Sequence, residues 1–262
     1  MKTRALRRAL PCLGAALVAL IVVALVTATP ASAGSLQVAP VRIVLTPGRS
    51  VAAMTIGNAE DAEVAVQAEV FAWSQVDGKD VYEPTRDVLV NPTIFRLAAQ
   101  AQQIVRVGLR VPAGEREKSY RIFLQQLPRD KAVPVDGTVG VQIQTLLRIG
   151  VPIFVPPTAS PTAARRDVQW RVERSDPGHR LNVRNTGDEH IQLTQVVLRQ
   201  GNGSEFARKS LSHYVLAGQS TALPMELPSL PAGSAFSVEV QSDAAQPLPA
   251  AQLRMPGDPT PR

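Results

Sequence analysis

Val139-Gly-Val-Gln-Ile-Gln-Thr-Leu-Leu-Arg148-Ile-Gly-Val-Pro-Ile-Phe-Val155 is a run of seventeen residues without an obvious turn. Its odd positions are Val139, Val141, Ile143, Thr145, Leu147, Ile149, Val151, Ile153 and Val155, and its even positions begin Gly140, Gln142, Gln144. Successive side chains of a strand point to opposite faces, so this period of two predicts a strand with one apolar row. The run exceeds the usual five or six residues of a strand. Periodicity alone leaves two readings open: the row covers the protein's own core, or a partner covers it. A long apolar edge is an aggregation hazard unless something pairs with it, and adding a strand to a partner is the functional use of such an edge.

Outward from this run, the chain keeps reading as strands. Stretches rich in Val, Ile, Leu and Thr recur at Leu36 to Leu45, Val51 to Ile56, Val64 to Trp73, Gln103 to Leu109 and Tyr120 to Leu127, punctuated by Pro, Gly, Asn and Asp. Ile94 to Ile104 is the best helical candidate and reads mostly as a loop leading into a strand. Pro156-Pro157-Thr158-Ala159-Ser160-Pro161 cannot continue a ladder and predicts a stiff connection, residues 156–166. The preceding segment, 34–155, has the size of a seven-strand sandwich. After the connection, Val168 to Val172, Arg180 to Arg184, Ile191 to Leu198, Ser220 to Leu223 and Ala235 to Val240 predict a second, smaller β unit over 167–243. Residues 244–262 are proline-rich and weakly patterned, and they read as a disordered tail.

The first 33 residues read as a signal peptide rather than as fold. Lys2, Arg4, Arg7 and Arg8 form a basic head, Leu13 to Val26 an apolar stretch, and Ala31-Ser32-Ala33 a small-x-small cleavage site. The apolar stretch is short of the roughly 20 residues a membrane span needs. This predicts export to the periplasm, with no stable membrane insertion after cleavage. The whole chain has 28 basic and 22 acidic residues; without the four basic residues of the head, 24 against 22 leaves +2. That balance, with no cluster of Lys/Arg and interleaved aromatics, gives no reason to expect nucleic acid. Cys12 is the single cysteine and leaves with the signal, which excludes a disulfide scaffold and thiol chemistry.

No candidate active site emerges. His179, His190 and His213 are widely spaced and form neither an HxH nor an HExxH pair, so no metal site and no cofactor are expected. There is no GxSxG elbow and no phosphate-cradling glycine loop. Asp77, Asp80, Glu83 and Asp87 read as solvated loop charges, and Gly201-Asn202-Gly203 as a hairpin turn.

Several motifs in order resemble the periplasmic pilus chaperones of the PapD-like superfamily. They are Leu36-x-Val38-x-Pro40-x-Arg42-Ile43-Val44-Leu45; Pro92-x-x-x-Arg96-Leu97 with Gln103-x-Val105-Arg106-Val107; Ser119-Tyr120-Arg121-Ile122-x-Leu124-x-Gln126-Leu127-Pro128; Gly150-Val151-Pro152-Ile153-Phe154-Val155; and Leu181-x-Val183-x-Asn185-Thr186-Gly187. The resemblance implies an all-β fold of two immunoglobulin-like sandwiches set at an angle. It implies a non-catalytic chaperone that donates a β-strand to pilus or fimbrial subunits and hands them to an outer-membrane usher. Val139, Val141, Ile143 and Leu147 fall where the family keeps its donor residues, with Thr145 interrupting the row. Two basic residues of the family grip the subunit's terminal carboxylate. Arg42 matches the first, and a guanidinium suits the task because its fork fits a carboxylate. The second, usually a lysine, aligns with Pro152; either Arg148, on the same strand and even-numbered face, substitutes, or the anchor is rearranged. The Pro152 pattern is closer to the non-typical chaperone–usher branch. The alternative is a secreted, non-catalytic structural or adhesive sandwich module, which would keep the Val139–Val155 run paired internally and need no arginine in a cleft.

Overall fold

Alternation of apolar and polar side chains dictates strands, and every regular element among the described residues is one. The computed structural model describes residues 36–128, 145–158, 167–175, 178–228, 230–244 and 247–257; the expected signal peptide lies outside them. The elements are β1 (Leu36–Ala39), β2 (Ile43–Val44), β3 (Val51–Asn58), β4 (Val64–Val76), β5 (Lys79–Pro84), β6 (Val88–Asn91), β7 (Ile94–Leu97), β8 (Gln102–Leu109), β9 (Lys118–Gln126) and β10 (Arg148–Val155). There follow β11 (Val168–Arg174), β12 (His179–Asn185), β13 (Ile191–Gln200), β14 (Glu205–Val215), β15 (Ser220–Glu226), β16 (Ala235–Ser242) and β17 (Ala251–Arg254).

The first ten strands make one sandwich. One sheet runs β1-β3-β8-β6; the other runs β2-β10-β9-β4-β5, with β7 also pairing β4. Period-two rows from both sheets meet between them: Met54 and Ile56 of β3, Val105 and Val107 of β8, Val64, Val66 and Ala68 of β4, Ile122 and Leu124 of β9, and Val151, Ile153 and Val155 of β10 are all buried. Each such side chain contributes roughly 1.5–3 kcal/mol relative to exposure. The second half of the apolar row in the opening run is thus occupied by the protein's own core.

Three expectations change here. Leu36 to Leu45 is not one strand: β1 pairs antiparallel with β3 in one sheet, and β2 pairs parallel with β10 in the other. Pro40, with no N–H to give a ladder, lies at the crossing between sheets. The long strand is shorter than its periodicity predicts: β10 begins at Arg148, Thr145–Leu147 stand outside the ladder, and Val139, Val141 and Ile143 lie outside the described residues. Asp80 and Glu83 belong to β5, not a loop, and Asp80 and Asp87 are engaged by Gln75 and Tyr120.

The second sandwich packs β11-β12-β15 against β14-β13-β16-β17 around Trp170, Leu181, Val183, Leu193, Leu198 and Phe236. The Gly201-Asn202-Gly203 turn joins β13 to β14, with Gly203 at φ 84°, a left-handed conformation that glycine adopts without a Cβ clash. The expected disordered tail is corrected in its described part. β17 pairs with β16, and Leu248 and Met255 are buried in the core, so ladder hydrogen bonds and apolar burial together hold this segment.

The two sandwiches use the same device at a strand end. Asn58 Nδ2 donates to the carbonyls of Ala62, Leu97 and Ala98 while its Oδ1 accepts the Glu60 N–H. Asn185 Nδ2 donates to Glu189 and Val215 while its Oδ1 accepts the Gly187 N–H.

His213 of β14 has Nε2 3.2 Å from Thr221 Oγ1, and burial holds its pKa below the ordinary imidazole value, opposed in part by Asp80. The unfolded chain binds this proton below its ordinary pKa of about 6.5, whereas the folded chain resists it. The contribution is therefore complete above about pH 6.5 and is lost as pH falls below it towards the lower folded value. The thermal midpoint of the wild type, measured relative to that of His213→Gln, is expected to drop between pH 7.5 and 5; a pH-independent difference would remove His213 as the cause.

Candidate functional site at the joint of the two sandwiches

Arg42 lies in the bend just before β2, whose Ile43 faces the core, and its side chain reaches the second sandwich. Arg42 Nη1 donates to Asp243 Oδ2 at 2.9 Å, and Nη2 donates to Gln192 Oε1 and, at 3.3 Å, to Tyr214 OH. The guanidinium also lies 5.6 Å from the Tyr214 ring centre. Its side chain is 33% exposed, so the group is partly desolvated yet reachable from solvent. Burial opposes its charge, but the bonds to Tyr214 and Asp243 outweigh that, and its pKa lies above the ordinary guanidinium value.

Phe154 is the plug of the joint. It follows Ile153 on β10 and is fully buried, stacked 3.6 Å from the His190 ring and 6.2 Å from that of Trp73. His190 is held in turn by Glu117, whose carboxylate oxygens lie 2.8 and 2.9 Å from Nδ1 and whose Oε1 accepts the His190 backbone N–H at 3.0 Å. On the other flank, Gln75 donates from Nε2 to the Tyr214 carbonyl, accepts the Leu216 N–H on Oε1, and donates its backbone N–H to Gln219. The two sandwiches are therefore clamped on both sides of an aromatic plug.

From this plug a track of rings and cations runs along the outer face of the β10-β9-β4-β5 sheet. Trp73 meets Tyr214 edge-on at 5.5 Å and Tyr82 at 6.4 Å; Tyr82 meets Phe123 at 5.0 Å. Arg121 lies 4.7 Å from the centre of Trp73, donates to Tyr82 OH at 2.9 Å, and faces Asp80 at 3.7 Å. Arg121 Nε and Trp73 Nε1 are buried donors that make no hydrogen bond among the described residues. Gly150 lets Arg121 and Phe123 cross β10 closely: a Cβ there would meet Arg121 Nε at 2.9 Å and Phe123 at 3.0 Å.

The expected site residues are distributed along this face. Arg42 is at the joint. Arg148 is at the outer end of β10, exposed, its guanidinium 4.0 Å from the centre of Phe123. Arg42 is level with Pro152, so Arg148 is about 13 Å away along the strand, at roughly 3.3 Å per residue. Leu147 is half-buried and accepts the Gln126 N–H on its carbonyl at 2.8 Å. Sequence reasoning passed over Arg121, which pairs directly with Pro152 across β9 and β10. Its signal was present: Tyr120, Ile122 and Leu124 form a core row, which puts Arg121 on the opposite face with the cations.

β10 also presents an open edge. On the side away from β9 its ladder partner among the described residues is β2, at Ile153 and Phe154 alone, and Leu45 N–H extends the contact to the Phe154 carbonyl. From Arg148 to Pro152 no strand among the described residues pairs with that side, and this stretch leads to the level of Arg42.

Two all-β sandwiches meet at a cationic joint. Residues 35–161, which include the first sandwich, match the family model described as pili and flagellar-assembly chaperone, PapD N-terminal domain. The chain resembles a solved chaperone–tip adhesin complex of archaic chaperone–usher Csu pili from Acinetobacter baumannii at 18% identity and TM-score 0.61, covering 85% of this chain and 98% of that one. It resembles the SafA pilin–SafB chaperone complex of Salmonella enterica at 18% identity and TM-score 0.55, covering 86% and 98%. It also resembles the E. coli chaperone DraB at 22% identity and TM-score 0.51, covering 85% and 97%. These likenesses extend the shared fold over both sandwiches. A comparison with curated proteins finds no match.

Proposed function

We propose that this protein is a periplasmic chaperone of pilus or fimbrial subunits, which it holds by donating a strand and delivers to an outer-membrane usher. The family match of the first sandwich and the fold shared with pilus chaperones support the chaperone role. The observation that carries the strand-pairing mode is the side of β10 from Arg148 to Pro152, which no strand among the described residues pairs and which runs up to Arg42. Main-chain groups along such an edge give affinity, and side chains on alternate positions give specificity. Val139, Val141, Ile143 and Leu147 are the donor row that fills the subunit's open groove. Four such side chains supply roughly 6–10 kcal/mol of gross transfer free energy, part of which the costs of association and ordering take back.

Arg42 is the first anchor of the subunit's terminal carboxylate, and Arg121 supplies the second cation. Arg121 stands opposite Pro152, where the resemblance has a lysine, and its Nε and the nearby Trp73 Nε1 make no hydrogen bond among the described residues. Arg148 closes the outer end of the ring track, where it engages the body of the subunit.

Ile143→Asp and Leu147→Asp test the donor row. A carboxylate in an apolar groove without a partner costs several kcal/mol. The wild type is expected to co-purify from periplasm one to one with a small β-rich partner, and both variants are expected to fold alone and to lose it. If either variant fails to fold, its side chain belongs to the protein's own core, as in the secreted-module alternative.

A further inference from the structure

Arg42 is already neutralised within the molecule. Both terminal nitrogens of its guanidinium point into the second sandwich, to Asp243 on one side and to Gln192 and Tyr214 on the other. Asp243 is well placed to hold it, because its other oxygen accepts the backbone N–H of Gln192 at 2.9 Å. A carboxylate arriving at Arg42 from outside has two routes. It displaces Asp243, or it shares the guanidinium with it and is repelled by a like charge. In both cases the charge on Asp243 works against the newcomer.

The surroundings equip Asp243 for the exchange. His190 Nε2 lies 3.8 Å from the same Asp243 oxygen that Arg42 holds. That nitrogen is buried and makes no hydrogen bond among the described residues. The ring cannot turn away, since Glu117 fixes Nδ1 and Phe154 stacks on its face. When Arg42 leaves, Asp243 therefore keeps the N–H of Gln192 on its second oxygen.

Resting on the anchoring role given to Arg42 above, we propose that Asp243 is a built-in carboxylate that occupies the anchor in the free protein and that a partner's terminal carboxylate must displace. The joint is then self-capped until a subunit arrives. Asp243 acts as a competitor for the anchor, and this sets it apart from a residue that merely positions Arg42.

The two roles give opposite signs. The probe is a decapeptide of alternating valine and threonine with a free terminal carboxylate, alongside the same peptide ending in an amide. Binding to the full chain is followed by the fluorescence of Trp73, in a Trp170→Phe background. Asp243→Asn is expected to bind the free acid about 10-fold more tightly than wild type and the amide unchanged. Gln192→Ala, which removes the second side-chain acceptor of Arg42 but keeps the backbone N–H for Asp243, is expected to tighten the acid about 2- to 4-fold, and it serves if Asp243→Asn does not fold. Equal or weaker binding of the acid by the variants, with wild type still preferring acid over amide, overturns the competitor role and leaves the anchor standing. If wild type binds neither peptide, or both alike, the anchoring role fails and this inference falls with it.

Discussion

Arg42→Ala is expected to reduce subunit retention by roughly 30- to several-thousand-fold, the range for losing one partner of a partly buried charge pair at an interface, about 2–5 kcal/mol. The free protein should lose far less. The ion pair with Asp243 is about one-third exposed on the arginine side, and exposed pairs contribute about 0–1 kcal/mol. Bonds to Gln192 and Tyr214 go with it, so a fall of a few degrees in thermal midpoint is expected rather than none. Arg42→Lys should restore only part of the retention, because an ammonium cannot present a fork. Gln192→Leu is the control, since it disturbs the same joint without removing the cation. Measuring periplasmic subunit yield for the three variants decides the matter: normal yield with Arg42→Ala removes the anchor from the proposed function.

Phe154→Ala should have the largest effect on stability. The side chain is fully buried among Trp73, His190 and Tyr214, groups drawn from both sandwiches. Deleting a buried phenylalanine side chain typically costs about 3–5 kcal/mol. Here the cavity would open at the joint rather than within one core. Calorimetry is therefore expected to resolve two unfolding transitions in the variant and one in the wild type, with only the polar clamps at Arg42, Glu117 and Gln75 left to hold the sandwiches. A single transition lowered by less than about 1 kcal/mol would show that Phe154 does not couple them.

The strands that alternate cleanly were legible in the sequence. Val64 to Trp73, Gln103 to Leu109 and Tyr120 to Leu127 coincide closely with β4, β8 and β9 because one face of each meets a core and the other does not. β14 was missed because Glu205–Val215 carries its apolar residues irregularly on a half-exposed edge strand, and β17 because its burial depends on Leu248 and Met255, which flank it. The division of the opening strand between sheets was illegible for a different reason. Pro40 signals a break, but only tertiary packing decides which sheet takes each half. The same holds for the site. Arg42 was named from the resemblance of the opening strand, whereas Asp243, Gln192 and His190 come to the site from about 150 to 200 residues further along the chain, a proximity that no local pattern encodes.

The short second strand has a consequence for what can be held. β2 runs parallel to β10 and takes up its edge from Ile153 onward. Under the proposed mode, a guest segment lying parallel to β10 on the free stretch meets β2 head-on, with Arg42 at the point of collision. A continuing polypeptide has nowhere to go there; a chain end does. The arrangement works as a buffer stop that reads completeness rather than sequence: a guest whose last residue has been made fits the track with its terminal charge against the stop, and a truncated guest arrives out of register with its side chains one pocket or more astray.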